Sequence, residues 1–325
     1  PYLRKVGLTF RPRFDLKGTG LGKTFKLAIW TIGFVAVNQL ALIVVQRLAT
    51  SATAGGSGAG LQVYNNAHLL WILPHSLITV SLATAMLPNA PRLAAAGDRE
   101  GVAAEFTKTT RLALIIIVPA TVVFLALAGP ISGILFGHGP NGQADAALIA
   151  WTLMAFAVGL IPFTVQFVCL RTYYALEDTR TPFLLQLLIA GVNIVGALLF
   201  TWALDDPSWV AAELALAYSL AYAVGVPFSW RVLKRRVPDL DGGKLALHIV
   251  RLLLGAFALL LVVQWWIVRG LLRPLGALQR RLDAVDSTRA HTHARSGCRA
   301  HATSPGRPTC CGPSARPCCR SGTGS

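Results

Sequence analysis

The placement of charge constrains this chain more than any other feature. Leu27 to Gln46 runs 20 residues without Asp, Glu, Lys or Arg, and Arg47 and Arg92 enclose 44 more. Further charge-free runs cover 112–144, 146–170, 181–204 and 252–268, while 207–230 carries the single charge of Glu213. A water-facing surface cannot be made from such segments, but about 20 apolar residues in a helix cross a bilayer core ~30 Å thick. Inside lipid every backbone N–H and C=O must be paired within the protein, which selects helices over open sheets. The runs predict an all-α, polytopic membrane bundle of about seven transmembrane helices, at about 27–47, 61–87, 110–132, 147–170, 181–203, 208–230 and 245–268. Charged residues are only 14% of the chain, against about 25% in soluble domains. The 54% hydrophobic content excludes disorder over most of the length. No stretch reads as a signal peptide, and there is no initiator Met.

The charge that remains is basic, net +16. Nineteen Lys and Arg fall in 1–26, 89–111, 171–180 and 231–251, against one, Arg47, in the connections 47–60, 133–146 and 204–208. The positive-inside rule then puts the N-terminus, the basic entry segment 1–26 and the basic loops in the cytoplasm. Gly55–Gly58 and Leu204–Pro207 face outward. The clusters Arg4-Lys5 and Lys234-Arg235-Arg236 sit at helix ends. That position points to anionic inner-leaflet lipids, worth ~1 kcal/mol per basic residue, and not to nucleic acid.

The last segment, 269–325, is a different polymer. From Ser287 onward it uses only Ser, Thr, Arg, Ala, His, Gly, Cys and Pro. Such a tail cannot bury a core and is expected to be disordered. It holds Cys298, Cys310, Cys311, Cys318 and Cys319 with His291, His293 and His301 nearby. No C-x-x-C pair is present, so neither a metal site nor a disulfide framework is assigned. The eight residue types are those of GC-rich codons read out of frame, which is the expectation adopted; a genuine basic, membrane-surface tail is the alternative.

Polar groups within the spans mark candidate sites. In the second span Asn65, His68, Ile72, His75 and Thr79 share one helical stripe. Pro74 interrupts that helix and frees backbone carbonyls. Intramembrane polar groups face a bundle interior or an aqueous cavity; interface exposure for Asn65 and His68, and an interhelical bond for His75, are the plainer readings. Gln39 with Gln46, and Gln186 with Asn193, pair on helix faces as interhelical contacts, with Gln39 also kept as a cavity candidate. Glu213 reads as an interface-exposed carboxylate before a proton site. Ala217, Ala221 and Gly225 form a small-residue ridge for close packing. Cys169 reads as a packing residue. Pro119, Pro162 and Pro227 are expected to bend their helices. In the turn 171–182, Pro182 suits a first helical turn, Thr181 an N-cap, and Asp178 the positive helix end, with Arg171 and Arg180 flanking it. No P-loop, dinucleotide fingerprint, H-E-x-x-H or G-x-S-x-G occurs, so catalysis, a cofactor and a resident metal have no support.

Three segments carry a resemblance: Tyr64-Asn65-Asn66-Ala67-His68-Leu69-Leu70-Trp71-Ile72-Leu73-Pro74, continuing to Asp98; Arg171-Thr172-Tyr173-Tyr174-Ala175-Leu176-Glu177-Asp178-Thr179-Arg180-Thr181-Pro182; and Pro12-Arg13-Phe14-Asp15-Leu16. Together they resemble the MurJ/MviN lipid II flippases of the multidrug/oligosaccharidyl-lipid/polysaccharide exporter superfamily, over residues 1–268. The resemblance implies a transporter and no enzyme, in the bacterial plasma membrane. It would serve peptidoglycan biosynthesis, cell wall biogenesis and cell shape by moving lipid-linked peptidoglycan precursor by alternating access. It implies helices seven to thirteen of fourteen, the second lobe plus one further helix, so that the missing N-terminal lobe is a partner. On this reading His68 and His75 contact pyrophosphate, and Arg171, Asp178 and Arg180 form a cytoplasmic gate. Many members carry an Arg and a Glu where Leu69 and Ile72 stand, so that charged pair has no counterpart here. Another polysaccharide-lipid flippase, a multidrug exporter and a non-transporting scaffold for cell-wall enzymes are the alternatives.

Overall fold

The computed structural model describes residues 21–52, 60–86, 88–138, 142–204 and 206–267. Expectations for the entry segment 1–20, the Gly55–Gly58 loop, Asp205 and the tail after 267 lie outside them. Every regular element among the described residues is helical. The elements are α1 (Leu21–Ala52), α2 (Gly60–Pro74), α3 (Val80–Met86), α4 (Asn89–Ala95), α5 (Arg99–Phe136), α6 (Gly142–Ala175), α7 (Arg180–Leu204), α8 (Val210–Arg236) and α9 (Gly242–Ile267). Among the described residues seven stretches, Phe25–Ser51, Gly60–Ala95, Arg99–Phe136, Gly142–Ala175, Arg180–Ala203, Val210–Arg236 and Gly242–Trp265, are long and apolar enough to cross a membrane. They coincide one for one with the predicted spans. Several overrun them at the basic ends, because charged residues such as Arg99 and Lys234 continue a helix into water. α8 starts at Val210, two residues later than predicted, because Asp206 accepts from the Ser208 backbone N–H (3.0 Å) and hydroxyl (2.7 Å) and holds a turn there. Those bonds keep the Asp206 carboxyl below its ordinary range.

The described residues up to Leu260 form one compact unit. α6 and α8 pack on each other at its centre, with α5 against α6, α7 against α8, and α1 against α7. One core cluster gathers Trp71, Phe156, Leu160 and Leu214, and a second gathers Phe106, Val168, Tyr173 and Leu233. Lipid tails are as apolar as these side chains, so close packing and hydrogen bonds must hold the helices together. Both are present. A methyl group on Gly159 of α6 would lie 2.7 Å from the Cα of Ser219 on α8. The Ser219 hydroxyl donates to the Ala155 carbonyl (2.7 Å), and the Tyr173 hydroxyl donates to the Ser229 carbonyl (2.8 Å). The Ala217–Ala221–Gly225 ridge faces α7: Gly225 abuts Ile189, and Ala217 lies opposite Gly196. Cys169 is buried in the second cluster.

Pro74 acts locally. Proline lacks an N–H and its ring crowds the carbonyl one turn back. Directly after it the helix widens into one π-turn, His75–Thr79, closed by the Val80 N–H on the His75 carbonyl. Glu213 departs from the sequence reading. It is 6% exposed, not at an open interface, and neither carboxylate oxygen has a partner among the described residues.

Candidate functional site

Two adjoining cavities open where α1, α2, α6, α7 and α8 meet. The first, about 430 Å³, is walled by Asn38 and Gln46 of α1, Asn65 and His68 of α2, Asn193 of α7 and Tyr218 of α8. The second, about 340 Å³, shares Asn38 and Tyr218 and adds Gln166, Arg171, Gln186 and Tyr222. The polar part of the lining is amide, imidazole and phenol, set among Phe34, Phe163, Phe167 and Leu170, and Arg171 is the one guanidinium among the described residues there. Its guanidinium lies 4.8 Å over the Phe167 ring.

Helix periodicity explains α1. Asn38, Ala41, Leu42, Val45 and Gln46 recur at the three- and four-residue spacing of one helix face and all line the first cavity. Gln39 falls off that stripe and is exposed. Asn38 takes the inward place, where its carbonyl accepts from the Gln186 amide across α1 and α7 (3.2 Å). The α2 stripe divides at its proline. Asn65, His68 and Ile72 reach the cavity. His68 is set among aromatic rings, with Phe156 and Trp71 each 5.4 Å away. His75 and Thr79, beyond Pro74, are buried inside protein. His75 Nδ1 shares a hydrogen bond with the Thr164 hydroxyl of α6 (3.2 Å), and its ring packs on Phe163 (4.5 Å). Beyond the proline, His75 bonds to α6 and the buried Thr79 hydroxyl has no partner among the described residues, and neither lines the two cavities.

Two buried amides are left with free hydrogen-bonding capacity among the described residues. Gln166 uses neither its oxygen nor its nitrogen, and the Asn193 oxygen has no partner. Unpaired buried polar groups cost about 1–3 kcal/mol each, so a cavity that retains them is suited to a hydrogen-bonding guest. Sequence reading missed Asn38, Gln166, Tyr218 and Tyr222 as lining residues. The seven-residue spacing of Gln39 from Gln46 favoured Gln39 over Asn38, and nothing in the sequence distinguishes Gln166 from other intramembrane amides.

The turn between α6 and α7 assembles differently from a three-residue gate. Asp178 accepts from the Thr181 backbone N–H (3.0 Å) and hydroxyl (2.6 Å), so Asp178, and not Thr181, caps α7. Its other partner is Arg236 at the end of α8 (3.1 Å). Arg180 instead lies 5.7 Å from the Trp30 ring of α1. Only Arg171 of the three looks into a cavity. Glu177 takes the left-handed conformation (φ 57°) that ends α6, with the Asp178 N–H returning to the Tyr173 carbonyl. Among the described residues no three His, Cys, Asp or Glu side chains come together as a metal site, and the tail cysteines lie outside these residues.

Comparison with known proteins adds a family to this geometry. The family model described as "Lipid II flippase MurJ" matches residues 1–276. The probable lipid II flippase MurJ of Haemophilus influenzae is 27% identical over 273 residues, covering 82% of this chain and 52% of that protein. That of Vibrio cholerae is 28% identical over 202 residues, covering 62% and 38%. That of Thermotoga maritima is 25% identical over 252 residues, covering 78% and 49%. The chain thus spans about half or less of the length of these curated relatives. A solved lipid II flippase MurJ in an inward closed conformation superposes with a TM-score of 0.60 at 20% identity, over 81% of this chain and 52% of that one. This last likeness is one of fold.

Proposed function

The chain belongs to the lipid II flippase MurJ family, and from that premise we propose that it forms one cavity-lining lobe of a flippase for lipid-linked peptidoglycan precursor. It is a multi-pass protein of the bacterial plasma membrane, from a family of transporters. The observation that carries the proposal is the polar trough of Asn38, Asn65, His68 and Asn193, set inside a bundle whose outer surface is apolar. A sugar and peptide headgroup must exchange water for other hydrogen-bond partners as it crosses the membrane. Amides and imidazole supply them without the desolvation cost of buried ions. Arg171 is placed to meet a phosphate oxygen, and the polyprenyl tail stays in lipid. The trough is one-sided in this chain, so a first lobe of the same transporter is its proposed partner. The basic loops, with anionic lipids around them, face the cytoplasm. Among the described residues no acid lines the trough, and the positions of the family's charged pair hold Leu69 and Ile72.

The test is a binding competition followed by transport. The purified chain in nanodiscs is offered lipid II and an O-antigen-type polyprenyl-linked sugar. Selective retention of lipid II, reduced by Asn65→Leu, is expected; preference for the other lipid supports the alternative flippase reading. In proteoliposomes the chain alone is expected to leave lipid II in its original leaflet. Turnover equal to that of a full-length relative would overturn the single-lobe proposal.

A further inference from the structure

A larger groove lies away from the trough, between α5, α6 and the start of α8. Its volume is about 670 Å³, and its walls include Leu125, Trp151, Val158 and Leu216, with Asp206 and Glu213 as its acids. Among the described residues no Lys, Arg or His lines it. Leu125, Trp151, Val158 and Leu216 are all substantially exposed, as a surface against acyl chains would be. Trp151 and Trp209 meet edge to face at 5.8 Å, a pair of amphipathic rings of the kind that settles at headgroup level. Glu213 is more than nine-tenths buried, and both its oxygens lack a partner among the described residues.

A carboxylate in such surroundings keeps its charge only beside a cation, and none is supplied by the groove. Its first-turn position in α8 gives some dipole stabilisation, but that leaves the oxygens unpaired. The shape adds the second requirement. An occupant must place hydrocarbon along the exposed wall and a positive, hydrogen-bonding group inward. We propose that this groove is a binding site for an aminophospholipid, with the primary ammonium of its headgroup held by Glu213 and Asp206 and an acyl chain along Leu125, Val158 and Leu216. A primary ammonium has three N–H donors for the two carboxylates, whereas a quaternary ammonium has none. An anionic headgroup meets two acids and is excluded. The groove adjoins the Asp206 turn, at the opposite end of α8 from the basic cluster Lys234–Arg236. Its assignment to the outer leaflet rests on the topology proposed above; the lipid chemistry does not.

The full chain is reconstituted in nanodiscs of equal phosphatidylethanolamine, phosphatidylcholine and phosphatidylglycerol, and the lipids retained on release are identified by native mass spectrometry. Phosphatidylethanolamine is expected to be enriched about tenfold, equivalent to ~1.4 kcal/mol. Glu213→Gln keeps the side-chain volume and is expected to abolish the preference while leaving thermal stability in lipid-free detergent unchanged. Leu216→Trp fills the groove from its lipid side and should do the same without touching a carboxylate, which keeps the test intact if Glu213→Gln does not fold. Equal retention of phosphatidylcholine, enrichment of phosphatidylglycerol, or an undiminished preference in Leu216→Trp overturns the proposal.

Discussion

Gly159→Ala tests the seam that organises the bundle. A methyl group there would sit 2.5 Å from Ser219 Oγ, 2.7 Å from Ser219 Cα and 2.8 Å from Ser219 Cβ. Carbon atoms rest comfortably at about 3.5–4.0 Å. The hydroxyl can rotate away, but the Cα belongs to the α8 backbone, so the helices must separate by roughly 1 Å. Overpacking of this kind costs about 1–3 kcal/mol. Separation also stretches the Ser219–Ala155 bond of 2.7 Å, and an interhelical bond in a membrane averages ~0.6 kcal/mol. The combined loss is about 1.6–3.6 kcal/mol, or roughly 15- to 400-fold in the unfolding constant. Equilibrium unfolding in mixed micelles of increasing dodecyl sulfate fraction, followed by tryptophan fluorescence, reads it directly. Ser219→Ala alone should lose only about 0.6 kcal/mol. Gly159→Ala combined with Ser219→Gly removes the clashes with Oγ and Cβ but keeps the one with Cα, so rescue should be partial. A Gly159→Ala variant within about 0.5 kcal/mol of the parent, inside ordinary surface variation, would refute the close-approach reasoning.

Asp178→Ala removes the cap of α7 and the pair with Arg236 together, and should cost about 1 kcal/mol, mostly from the cap; Arg236→Ala should cost well under that, because the pair is half exposed. Asp241 starts α9 by accepting from the Lys244 N–H (3.1 Å) and pairing with its ammonium (3.0 Å), which holds the carboxyl below its ordinary range. Its contribution is therefore present above the ordinary carboxylate pKa and lost as pH falls through the lowered one. The stability difference between the parent and Asp241→Asn should shrink across that acidic window, and a difference constant with pH would contradict the assignment.

The number and position of the spans were legible because lipid imposes a length and forbids charge, and both are written directly into Leu27–Gln46 and the runs that follow. The Ala217–Ala221–Gly225 ridge was legible for a related reason: small residues one turn apart have few other uses in lipid. Direction was harder. A transmembrane helix is apolar on nearly every side, so hydrophobicity does not reveal its inward face. Gln39 and Asn38 are neighbours of equal polarity, and only packing against α7 selects Asn38. Glu213 looked superficial because it sits near a helix start, yet it is set deep in a groove and is 6% exposed. Asp178 was read with its sequence neighbours, while its ion-pair partner Arg236 comes from a distant helix end that spacing cannot place.

The proposed role requires that the trough formed by α1, α2, α7 and α8 hold the headgroup of lipid II. Site-specific photo-cross-linking tests this, with a benzophenone side chain placed in turn at Asn65, at Asn38 and at Gln39, which lines neither cavity, in nanodiscs containing lipid II. Strong labelling of the lipid is expected at Asn65 and Asn38, with background labelling at Gln39. Equal labelling at the three positions, or labelling confined to Gln39, would contradict it.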